Sequence, residues 1–110
     1  MKTITVPDDV SVTPPPYMPE AKPEVLSFEK YAHQVWLNDS RAIEGPFTKQ
    51  CRWARVIEKF ANVKSGAKIE LEDEDYATLR SIVENPKLGY ASALIAVQLI
   101  AFPQAVLDAA

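Results

Sequence analysis

The sequence predicts an α+β domain: an N-terminal β-hairpin plus one short strand, packed on about four α-helices. Three observations carry that expectation. The chain opens with β-branched residues in period-two alternation, Ile4 and Val6 among threonines, then Val10 and Val12 beside Ser11 and Thr13; this alternation marks half-buried strands. From Ser27 onward, apolar residues recur at helical spacing. Between these runs stand breaks rich in proline, glycine, asparagine and aspartate.

Taken in order, residues 1–13 read as the hairpin, with Pro7, Asp8 and Asp9 supplying its turn. Residues 14–26 form a proline-rich arm. Its stretch PPPYMPEAKP holds five of the nine prolines, which fix φ and favour an extended connector. Such an arm either spaces two elements or lies on another subunit or an aromatic groove. PPPY also resembles the short ligand of WW domains.

A mainly helical body fills residues 27–110. Ser27 caps a helix running to about Asn38, with Leu26 and Tyr31 placed as a hydrophobic staple. Its buried stripe is Phe28, Tyr31, Ala32, Val35 and Trp36. Residues 38–46 read as a loop. The second helix runs from Pro46 or Phe47 to Val63, with Trp53, Ile57, Phe60 and Ala61 on its apolar side and Gly66 closing it. Lys49, Arg52, Arg55 and Lys59 share roughly a third of its circumference.

Residues 67–71, AKIEL, alternate as a strand able to pair with the N-terminal hairpin. The run Glu72, Asp73, Glu74, Asp75 then opens a third helix reaching about Glu84, where Asn85 and Pro86 stop it. Leu71 and Tyr76 flank the acids as a second staple. Acids in a first helical turn meet the positive end of the helix dipole. Consecutive on a helix, they fan out about 100° apart and do not converge on a metal ion.

The last segment is the most apolar, with no charged side chain from Leu88 to Leu107. Its length admits a membrane span, but Ser92, Gln98, Pro103 and Gln104 and the lack of a basic flank favour a buried helix kinked or broken near Pro103. Apolar residues surround nearly the whole cylinder, more than a small domain covers. Leu94, Ile95, Leu99, Ile100 and Phe102 are therefore a candidate interface for self-association or a fixed partner.

Composition narrows the function further. Across 110 residues the formal net charge is −3 and the isoelectric point about 5.1, which gives no overall pull toward nucleic acid or anionic membrane. One cysteine, Cys51, makes neither an intrachain disulfide nor a multi-cysteine zinc site. It reads as small, partly buried filler, and the one histidine, His33, as a surface residue. The N-terminus lacks the pattern of a secretory signal. Three scattered glycines build no phosphate loop, and no serine nucleophile elbow is present. No catalytic, metal or cofactor-binding residues are expected. Two surfaces stand out instead: the basic face of Lys49, Arg52, Arg55 and Lys59, suited to phosphate or to the chain's own acids, and the acidic knob of Glu72, Asp73, Glu74 and Asp75, suited to docking.

The order MKTITVPDDVSV, SFEKYAHQVWLND, IELEDEDYATLRSIVENP and a final apolar helix resembles small proteins encoded by tailed bacteriophages. The proline arm departs from the simpler hairpin of that group. The resemblance implies a non-catalytic interaction component with a structural or assembly role in the virion, located in the infected host's cytoplasm or in the virion. The alternative is a small regulator that binds nucleic acid, or a host enzyme acting on it, through the basic face.

Overall fold

The computed structural model describes residues 1–14, 22–86 and 96–110. Its strands are β1 (Lys2–Thr5), β2 (Val10–Val12), β3 (Glu24–Leu26) and β4 (Lys68–Leu71). Its helices are α1 (Phe28–Tyr31), which continues as a π-helical turn over Ala32–Trp36, then α2 (Ser40–Ile43), α3 (Phe47–Lys59), α4 (Asp73–Glu84) and α5 (Ala101–Leu107). A 3₁₀ turn, Val97–Leu99, precedes α5. The fold is α+β.

The strands pair differently from the expected hairpin. β1 pairs antiparallel with β4, Ile4 opposite Ile69, while β2 pairs antiparallel with β3, Ser11 opposite Val25. β3 thus takes the last residues of the expected proline arm; residues 15–21 of that arm lie outside the described residues. The turn chemistry at Pro7, Asp8 and Asp9 serves another purpose. Val6 exchanges backbone hydrogen bonds with the 64–67 turn, donating to Ala67 O at 2.8 Å and accepting from Gly66 N at 2.9 Å, and Ser65 Oγ donates to Asp8 Oδ1. Ala67 N bonds Lys64 O at 2.9 Å, and Gly66 stands at φ +85°, the left-handed third position that a type II turn requires. Gly66 therefore closes this turn rather than α3. The chain leaves α3 through Asn62, at φ +57°.

An aromatic cluster forms the core. The Phe28 ring lies 5.7 Å from Trp36, 5.9 Å from Phe60 and 5.8 Å from Phe102. Tyr31 packs on Trp36 at 5.2 Å and on Phe102 at 5.3 Å. Ser27 caps α1 as expected, its side chain accepting from Lys30 N. The wide turn that follows, marked by Leu37 N bonding Ala32 O at 2.9 Å, lets Trp36 and Leu37 both enter the core. Residues 38–46 hold a helical turn where a loop was expected: the Asp39 carboxylate caps α2 and grips the Arg41 guanidinium by both oxygens, at 2.9 and 2.8 Å. Arg41 Nη2 also donates to Asn85 O at 2.7 Å and so ties α2 to the end of α4.

The final segment is only partly described, because Leu94 and Ile95 lie outside the described residues. Of the other expected interface residues, Leu99 and Phe102 are core, and Ile100 faces solvent. The break falls at the 3₁₀ turn, before Pro103. That proline occupies the first turn of α5, where its missing N–H has no helical acceptor to lose. Gln98 uses its side-chain amide as a substitute peptide group: Thr13 N donates to its Oε1 at 2.8 Å and its Nε2 donates to Thr13 O at 3.0 Å. No helix among the described residues is long and apolar enough to cross a membrane.

Candidate functional site: the groove between α3 and the start of α4

Pro46 begins α3 without a side-chain cap. The helix turns Trp53, Val56 and Phe60 inward. This corrects the expected apolar side. Val56 belongs to it, Ile57 is its half-buried edge, and Ala61 lies past the helix and exposed. At about 100° per residue, Val56, Phe60 and Trp53 span roughly 60° of the helix, and Phe47 and Cys51 lie on the other side. Cys51 is correspondingly exposed rather than partly buried.

α4 begins as the staple predicts. Leu71 and Tyr76 are both buried, and the Tyr76 hydroxyl donates to Val106 O at 2.6 Å, fixing α4 against α5. Glu72 occupies the cap position but makes no capping bond. Arg52 of α3 reaches Glu74 and Asp75 in the first turn of α4 and ties that turn to α3.

Between these two helices lies a groove of about 580 Å³. One wall is the side of α3 that carries Phe47, Thr48, Cys51, Arg52, Arg55, Val56 and Lys59; the other is Glu72 and Asp75. The structure thus brings together three of the four expected cations and two of the four expected acids. Lys49 stands apart in a shallower depression with Arg41, Glu74 and Ser81. Phe47, the largest apolar group on the rim, is 77% exposed. It was not among the predicted site residues, although its angular offset from Trp53 and Phe60 on the helix was readable.

The charges within the groove are unequally committed. Arg52 spans two acids of α4, its Nε 2.7 Å from Asp75 Oδ1 and its Nη1 2.8 Å from Glu74 Oε2. The hydrogen bond and charge of Asp75, then those of Glu74, push the guanidinium pKa above its ordinary value. Asp73 instead meets the Met1 ammonium at 2.8 Å, whose hydrogen bond and charge hold its carboxyl below the ordinary range. Lys59 Nζ donates to the Glu70 carbonyl at 2.9 Å and makes no ion pair among the described residues. Among the described residues Arg55 makes no ion pair, nor does Glu72 across from it. The acidic knob therefore meets the basic face within one chain, at Arg52, and leaves Arg55 and Lys59 as the groove's uncompensated cations.

Among the described residues no three His, Cys, Asp or Glu side chains stand close enough to share a metal ion. No protein-family model, no curated protein and no solved structure matches the chain.

Proposed function

We propose that this protein is a non-catalytic interaction component that docks a protein partner in the α3–α4 groove, in a structural or assembly role of the kind small phage proteins have. The observation that carries this reading is the exposed Phe47 ring on the rim of an apolar-floored groove that Arg55 also lines, two helical turns further along α3. Aromatic residues and arginine are both enriched in protein interfaces over the rest of the surface. Virion assembly as the setting rests on the sequence resemblance.

The nucleic-acid alternative loses support at Arg52. A phosphate-binding face draws affinity from several free cations releasing counterions together. Here Arg52 is already neutralised by Glu74 and Asp75, Lys49 is turned to a different depression, and Glu72 would face the phosphates.

Affinity purification from expressing cells, followed by the mass of the intact complex, tests the proposal. A defined protein stoichiometry is the expected result. A chain that remains alone, or that carries only nucleic acid, would overturn it.

A further inference from the structure

The groove also states what its partner should look like. We infer that it takes an acidic peptide segment carrying a bulky apolar side chain, with the apolar group seated against Phe47 and Cys51 and the acid paired with Arg55 and Lys59. This rests on the interaction reading above and adds the chemistry of the partner.

The argument begins with the shape of the α3 surface. Phe47, Cys51, Arg55 and Lys59 are each four residues apart, so they form one continuous line along the helix. Its first half is apolar and its second half cationic. Chain lying along this line therefore meets an apolar anchor point first and a positive one after it. The groove's volume of about 580 Å³ is in the usual range for sites that enclose a compact ligand group.

Charge decides the sign of the partner. Arg52 has its full complement of acid within the chain. Three cations (Arg52, Arg55 and Lys59) meet three acids (Glu72, Glu74 and Asp75), but two of the acids gather on Arg52, which leaves the Arg55–Lys59 end of the groove with Glu72 alone and one carboxylate short. A carboxylate entering there completes the balance, whereas a basic segment meets two like charges. Charge complementarity of this kind sets partner choice and encounter rate more than total affinity. The apolar requirement comes from Phe47, since an aromatic ring on a groove rim gains chiefly by leaving water.

Glu72 supplies a distinguishing prediction. It makes no capping bond to α4 and no ion pair among the described residues, so its charge is dispensable to the fold and unfavourable to an acidic partner. Its removal should strengthen binding, which a merely structural role would not do.

The test is selection of the full chain against displayed random short peptides, with affinities of the enriched sequences measured by fluorescence anisotropy. The enriched sequences should combine Asp or Glu with an aromatic or large aliphatic residue. Arg55→Glu and Phe47→Ala should each weaken binding by about tenfold or more, and Glu72→Gln should tighten it severalfold. Chemical-shift changes on titration should centre on residues 47–59. Enrichment of basic or purely polar sequences, or unchanged affinity in Arg55→Glu, would overturn the inference, as would tighter binding of single-stranded DNA or competition from a second copy of the chain. If purification yields a protein partner that Arg55→Glu still captures, docking stands and this groove is not its seat. If no partner is captured, the broader reading fails with it.

Discussion

α3 carries two phenylalanines of opposite fate. Phe60, at its C-terminal end, is 0% exposed and stacks on Phe28, whereas Phe47, in its first turn, is 77% exposed. The difference is one of angle around a single helix, not of residue type. On the Phe60 flank, α3 contributes to the aromatic core and its polar atoms are satisfied internally: the Trp53 indole donates to Leu37 O at 3.0 Å. On the Phe47 flank, the apolar surface is open and the charges are half-committed. One flank holds the protein together, and the other is free to meet something else.

That contrast can be broken most forcefully on the inner flank. Phe60→Ala should cost about 3–5 kcal/mol, since it empties a fully buried site stacked on Phe28; urea unfolding would measure it. Trp53→Phe, which keeps most of the ring but strands the Leu37 carbonyl, should cost about 1–3 kcal/mol in the same assay. Alkali probes the core through a different residue. Burial favours the neutral phenol of Tyr31, so its folded pKa lies above the ordinary 10.0. The unfolded chain releases that proton first, so stability falls as pH rises past about 10 and is untouched below it. Tyr31→Phe should lose less stability than the parent across that window.

The outer flank should respond weakly. Arg52→Ala removes an exposed fork to Glu74 and Asp75, and it should lower the melting temperature slightly in dilute buffer and not at all in high salt. Phe47→Ala should leave the unfolding midpoint within experimental scatter while weakening partner binding by about tenfold or more. A large loss of stability there would show that the Phe47 ring serves the fold instead.

Local signals in the sequence were translated faithfully. Ser27 is the cap of α1, Leu71 and Tyr76 bracket the acids at the start of α4, and the AKIEL strand forms beside β1. These depend on neighbours within a few residues. The errors arose where a distant segment decides. Alternation in residues 3–13 identified two strands correctly but paired them with each other as a hairpin; β1 pairs instead with residues 68–71, the strand read as able to join it, and β2 with residues 24–26. In the last segment the sequence could not separate Leu99 and Phe102, which join the core, from Val97 and Ile100, which stay exposed. At the candidate site, the basic face and the acidic knob were legible as separate patches, and even as possible mates. That Arg52 joins them, while Arg55 makes no ion pair among the described residues, depended on how α4 is seated against α3.

The pairing of β1 with β4 sets the order in which this protein can be assembled. Lys2 stands opposite Leu71, so β1 lacks its β4 edge until the chain has been made through Leu71. Closing such a distant pair slows folding, and an unmated strand is exposed to wrong pairings meanwhile. Phe28 and Phe60 can meet earlier, but the ring cluster is not complete until Phe102 joins it. Folding during synthesis should therefore finish late and in one step, with the N-terminal strand among the last parts to become protected from hydrogen exchange.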